Sequence, residues 1–301
     1  MRNLVNVFLI IFLLFFCFSG AFCQVGLKFL IRQDEGILGQ SKFIEENNLE
    51  VYEIFYQQFF LTEGKLDTLK LKKQIEIQIP NKSSTGFAVL DWEGEAIATF
   101  RNQTSDEKVD SYIGQFICGL KLAKKLRPKI KWGYYHILTL SYWGSIEEFR
   151  KQNKKLESII EIQDFIAPSL YVYNPNLVKY QESNLNYLRN KLLQSLEMGV
   201  KYDKPVYPFI WHRTPIAANK GNALVQKKYF EEVVELISTT KYEGRKSEGI
   251  FWWHSETFSY RNRDKYEVTE KEYLGIVDYN LYQYSVFMDY FKVIEKFRKP
   301  R

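Results

Sequence analysis

Residues 86–92, GFAVLDW, form an almost unbroken apolar run that ends in an acid and an indole. A run of this kind suits a strand buried on both faces, so it needs a covering layer on either side and excludes a sheet with one wet face. The same unit recurs along the chain: a short β-branched or aromatic run, an amphipathic helical stretch, then a loop. Strands are expected at 51–55, 86–92, 130–136, 165–173, 205–211 and 249–253. Helices are expected at 65–77, through 113–123 until Pro128 stops the turn, and at 146–156, 177–198, 226–239 and 271–297. The stretch before residue 50 is uneven and yields no recognisable strand. Strand and helix in alternation predict parallel strands wrapped by helices. No GxGxxG or GxxxxGKS/T loop follows any strand, which disfavours a nucleotide-binding open sheet and favours a closed ring. The fold class expected is α/β: a distorted TIM-like (β/α) barrel of about seven parallel strands, a single domain over 24–301.

Residues 1–23, MRNLVNVFLIIFLLFFCFSGAFC, have the layout of a secretory signal peptide. Arg2 supplies the positive start, 7–18 the apolar core, and Ser19, Gly20 and Ala21 the small residues before a cleavage point at Gln24. The apolar run is shorter than the roughly 20 residues a bilayer span takes. A secreted or periplasmic location without stable membrane insertion is therefore expected. Cys17 and Cys23 leave with that segment, so Cys118 remains without an internal disulfide partner. It is expected as a small buried hydrophobe on the apolar side of its helix. Stability must then come from a core, which 46% hydrophobic and 17% aromatic content permits. The net charge of +6 is mild and is no nucleic-acid footprint. The basic run over 121–131 reads as a helix's wet face and the loop after it. Asn81 and Asn102 open N-x-S/T sequons.

In a barrel the chemistry sits at the C-terminal strand ends. Alternation along a strand places Asp91 and Glu93 on one face, about 6.6 Å apart at roughly 3.3 Å per residue. Close carboxylates raise each other's proton affinity, and burial raises it further, so one can stay protonated near neutral pH as a general acid must. Two solvated acids in a loop would give the same sequence, and Glu95 nearby is a third. Other strand ends carry aromatics: Trp132 and Tyr135, Tyr171 and Tyr173, Trp211, Trp252 and Trp253. Each ring alone is ordinary core; in succession they outline a cleft where sugars can lie on flat apolar faces. Arg213 is positioned to meet a substrate carboxylate or to pair with a rim acid. His136, His212 and His254 lack HxH or HExxH spacing, so no metal is expected, and no GxSxG elbow occurs.

These same residues carry a likeness. GFAVLDWE (86–93), LAKKLRPKIKWGYY (122–135), APSLYVY (167–173) and EGIFWWHS (248–255) come in the order of four motifs of the hyaluronidase family, glycoside hydrolase family 56, and IPNKSSTG (79–86) resembles the family's entry into the first. The resemblance spans residues 50–256. It implies a distorted barrel that cleaves β-linked N-acetylhexosaminides within a polysaccharide such as hyaluronan or chondroitin, with no cofactor. It implies Glu93 as the acid that protonates the leaving oxygen and then acts as base, and Asp91 as the group that holds the substrate's own attacking 2-acetamido group. Tyr135 and Tyr171 would orient that amide, and Trp253 would pack on the sugar at the cleavage point. The chain departs from the family where Gly94-Glu-Ala-Ile-Ala replaces W-R-P, and where Ile137-Leu-Thr-Leu-Ser replaces P-D-C-Y-N. Two alternatives stay open: family-18-like chitin hydrolysis, because D-x-E is shared, and an inactive secreted carbohydrate-binding barrel.

Overall fold

In chain order the strands are β1 (Lys28–Arg32), β2 (Glu50–Tyr56), the short pair β3 (Leu61–Thr62) and β4 (Lys65–Leu66), β5 (Gly86–Asp91), β6 (Ile130–Tyr134), β7 (Phe209–Trp211) and β8 (Gly249–Trp253). The computed structural model describes residues 26–298 apart from 35, 104, 175 and 216–220, so the expected signal segment lies outside the described residues. Among the six strands of the main sheet pairing is parallel throughout, in the order β6-β5-β2-β1-β8-β7. The chain over 166–170 joins the two edges. Bridges connect Tyr135 to Ala167 and Ser169 to Phe209, and Leu170 N donates to Phe209 O at 2.9 Å. The result is the curled parallel α/β barrel that the strand–helix alternation predicts.

Three expected elements come out shorter or broken, each for a backbone reason. The 165–173 segment makes isolated bridges in place of a regular strand, because Pro168 has no N–H for the ladder. The 205–211 run keeps only Phe209–Trp211 as strand, since Pro205 and Pro208 likewise cannot donate. The last helix divides into Glu267–Tyr273 and Tyr279–Glu295 around Gly275, whose φ of 79° ends the first of them. The pattern leaves out the short helices Leu38–Glu46, Glu95–Asn102 and Glu256–Arg261 and, more consequentially, β1, in the middle of the sheet between β2 and β8. Its run KFLIR is bracketed by basic residues, which hides a strand that buries Phe29, Leu30 and Ile31.

Alternation sorts each strand into two apolar layers. Leu30, Tyr52, Ile54, Val89, Tyr135, Phe165, Phe209 and Phe251 fill the ring's interior. Phe55, Leu90, Trp92, Trp132, Ile210 and Trp252 face outward into the helices, where Trp92 stacks on Phe116 with centroids 4.4 Å apart. Gly133 is required by the interior: a Cβ there would lie 2.7 Å from the Phe165 ring. The helix Asp106–Leu126 buries Val109, Tyr112, Phe116, Leu120 and Ala123. Cys118 sits two residues from Phe116 and so faces away; it is exposed, correcting the expectation of a buried thiol. Arg127 corrects another. It is buried, not solvated, and its guanidinium donates to Leu126 O at 2.8 Å and to the carbonyls of Ile79 and Pro80, tying down the chain that enters β5. Among the described residues no helix is long and apolar enough to cross a membrane.

Candidate active site

Asp91 ends β5 facing the ring's interior, and Glu93 follows on the same side. Gly94 makes this possible: its φ of 62° and ψ of −128° turn the chain directly into the helix Glu95–Asn102, a conformation that side chains resist. Gln57, just past β2, accepts from Glu93 N at 3.0 Å and fixes the backbone beneath the acid. The two carboxyls form a hydrogen-bonded pair. Burial, then the Glu93 charge, holds Asp91 well above the usual carboxylate range. Burial also raises Glu93, against the opposing pull of its Asp91 hydrogen bond and of the Lys191 charge. A pair so placed keeps a proton at pH values where free carboxylates have lost theirs. Asp91 lies deeper, its Oδ1 enclosed and without a hydrogen-bond partner among the described residues. Glu93 opens onto a cleft.

That cleft, of about 450 Å³, is also lined by Tyr135, Tyr171, Tyr173, Tyr187, Trp211 and Trp253 together with Ser169, His136, Arg101 and Lys191. The rings form a continuous wall. Tyr171 stacks at 6.0 Å on Tyr135 and at 5.9 Å on Trp253, and Trp253 meets Trp211 edge-on at 4.6 Å. Ser169 and Tyr171 are within hydrogen-bonding reach of the Tyr135 hydroxyl, which burial and the nearby Glu93 keep protonated. Trp211 Nε1 and His136 Nδ1 are buried in this wall without hydrogen-bond partners among the described residues. Beyond Trp253 the floor continues into a second hollow of about 750 Å³ lined by Arg32, Tyr56, Phe59, Phe258 and Arg261. Among the described residues no group of His, Cys, Asp and Glu is arranged to hold a metal.

Comparison with known proteins fits this geometry. No family model matches the chain. A hyaluronidase of Loxosceles intermedia is 23% identical over 238 residues, which is 66% of this chain and 57% of that protein. A hyaluronidase of Tabanus yao is 23% identical over 181 residues, 48% of this chain and 51% of that one. The chain thus spans about half the length of the curated relatives it matches. Two solved structures of bee venom hyaluronidase, one in complex with hyaluronic acid tetramer, superpose with TM-scores of 0.60 and 0.59. Both are 16% identical and are covered over 96% of their length, against 82% and 83% of this chain, a likeness of fold. The chain resembles the hyaluronidases.

Within this hyaluronidase-like barrel, five of the expected site residues converge: Asp91, Glu93, Tyr135, Tyr171 and Trp253. Two do not. Trp132 is fully buried among the outer helices, its ring 5.4 Å from Phe55 and its Nε1 donating to Arg127 O at 3.2 Å. Strand parity explains it: Tyr135 points in, so Trp132, three residues back, points out. Arg213 is also fully buried. Its guanidinium meets Glu256 at 2.6 and 2.8 Å and Glu272 at 2.6 and 2.7 Å, leaving nothing for a substrate. Burial alone would raise Glu256, but Arg213 overrides this and holds it well below the usual carboxylate range. His212 bridges Glu256 at 2.9 Å and accepts from Trp252 Nε1 at 3.0 Å, so the network braces the end of β8 from behind.

Lys191 is the residue that strand-end reasoning missed. It comes from the helix Leu177–Lys201, is buried, and burial together with Arg101 pushes its ammonium down to about 7 despite the Glu93 charge. A signal existed: Lys191 interrupts the buried stripe that Leu188, Leu192 and Leu196 make. A lysine there has to serve something inside.

Proposed function

We propose that the protein is an exported, retaining endo-β-N-acetylhexosaminidase of the hyaluronidase type, acting on a glycosaminoglycan-like chain. One observation carries the reading: a proton-sharing Asp91–Glu93 pair whose outer member opens onto the same aromatic cleft as Tyr135, Tyr171 and Trp253. Glu93, raised by burial, protonates the glycosidic oxygen and then, deprotonated, draws a proton from the incoming water. Asp91 stabilises the positive charge that develops on the substrate's 2-acetamido group as its oxygen attacks the anomeric carbon, a substrate-assisted route distinct from an enzyme nucleophile. Tyr135 and Tyr171 orient that amide, and Trp253 supports the sugar ring.

The hollow beyond Trp253 supports cleavage within a chain, since sugars can extend on both sides of the reacting unit. Arg101 and Lys191, together at the other side, support an anionic polymer over neutral chitin. The bee venom enzyme of the same fold, solved with hyaluronic acid tetramer, supports hyaluronan as the first substrate to try. Export rests on the layout of residues 1–23.

The test is release of reducing ends from hyaluronan, chondroitin and chitin oligomers by wild type and Glu93→Gln. Turnover by wild type on an anionic polymer with a loss of about 10²–10⁴-fold in the variant is expected, the range that general acids contribute. Equal rates in the two proteins, or no turnover of any of these glycans, overturns the reading.

A further inference from the structure

Outside the cleft the chain presents an aromatic surface that the reaction does not use. Trp143 is 74% exposed and Tyr173 53% exposed, and both rings pack on Tyr142, at 4.7 and 5.5 Å. Tyr142 in turn lies 5.1 Å from Tyr187. Tyr173 and Tyr187 line the cleft itself, so the aromatic wall leaves the site and continues to Trp143 without a break.

The platform is held rigid from beneath. Buried Asn184 accepts from the Tyr142 hydroxyl at 2.8 Å and donates to Asn174 O at 2.8 Å, locking the loop that carries Tyr173 to the loop that carries Trp143. Buried Asn153 donates to Thr139 O and accepts from Thr139 N, at 2.8 and 2.9 Å. A capping box between Ser145 and Glu148 then fixes the far end. An indole displayed to water on anchored loops forgoes the apolar burial that Trp92, Trp132, Trp211 and Trp252 find. Flat, amphipathic and rigid, it matches the C–H face of a pyranose.

We propose that Trp143, backed by Tyr142 and continued by Tyr173, is a distal subsite that stacks a hexopyranose unit of the same polysaccharide whose reacting unit lies in the cleft. The inference rests on the glycosidase reading and adds a length preference: long chains reach the platform, short ones do not.

The test compares wild type, Trp143→Ala and Trp143→Tyr on polymeric hyaluronan and on a short hyaluronan oligomer. For Trp143→Ala, KM on the polymer should rise about three- to ten-fold, the effect of losing one aromatic stack. KM on the oligomer and kcat on both should stay at wild-type values, and Trp143→Tyr should restore the polymer KM. Unchanged KM on the polymer, or equal losses on both substrates, overturns the platform and leaves the glycosidase reading standing. Absence of turnover by wild type overturns the glycosidase reading, and binding of the polymer, followed by tryptophan fluorescence, then decides the platform. Weaker binding by Trp143→Ala sustains it; equal binding, or none by either protein, removes it.

Discussion

Trp253 Nε1 donates to the Tyr56 hydroxyl at 3.1 Å, joining the end of β8 to the end of β2 across β1. Arg32, at the end of β1, lies over the Tyr56 ring at 5.4 Å and completes the brace. The indole that supports the sugar is therefore held from both sides, by Tyr171 stacking and by this bond.

Tyr56→Phe removes the acceptor and keeps the ring. An unsatisfied, part-buried indole N–H costs about 1–3 kcal/mol, and the ring regains a partner only by tilting. KM should rise up to about ten-fold with kcat largely kept, and the Trp253 fluorescence should shift. Steady-state kinetics and emission spectra of the two proteins check this; unchanged KM and spectrum would place the bond outside the binding geometry.

Lys191→Met tests the buried ammonium. Its positive charge lowers the Glu93 proton affinity, and it is itself pushed down to about 7, mainly by burial. Removing the charge raises Glu93 further, so the alkaline limb of the kcat–pH profile should move to higher pH. Lys191→Arg, which stays charged, should hold the wild-type limb. A limb that does not move in Lys191→Met means that Glu93 does not govern it.

How much of this was readable beforehand depends on where each residue's information lies. Asp91, Glu93 and Tyr135 sit on or directly after regular strands, where alternation decides direction, and apolar runs such as 86–92 announce strands buried twice over. Trp132 carries the same local signal as Tyr135, and only counting parity from a residue known to face inward separates them. Arg213 looks like a ligand-seeking cation until Glu256 and Glu272, 43 and 59 residues away, are brought against it. Lys191 and Trp143 come from a helix and a connecting loop, so nothing in the strand-end pattern could assign them. β1 was hidden because Lys28 and Arg32 flank only three buried residues.

Arg213→Ala separates bracing from binding. Removing one partner leaves Glu256 buried and charged, which in comparable buried pairs costs about 3–5 kcal/mol. Thermal unfolding should show that loss, while KM measured well below the transition should match wild type. A raised KM at full folding would return Arg213 to the substrate.

Asp91→Asn should give a protein that is less active and more stable at neutral pH. Asp91 has a folded-state proton affinity raised by burial and by Glu93, so its contribution to stability is fully present only below the unfolded value, about 3.9, and is lost as pH climbs through the raised one. Asparagine keeps the size and carries no charge, so its stability has no such slope. The difference in melting temperature between the variant and wild type should therefore be small near pH 4 and widen as pH rises. Turnover should fall over the same range, because the amide cannot offset the charge that develops on the acetamido group. Parallel stability curves for the two proteins would mean that Asp91 is not held above its ordinary range, and the proton shared with Glu93 would have to come from elsewhere.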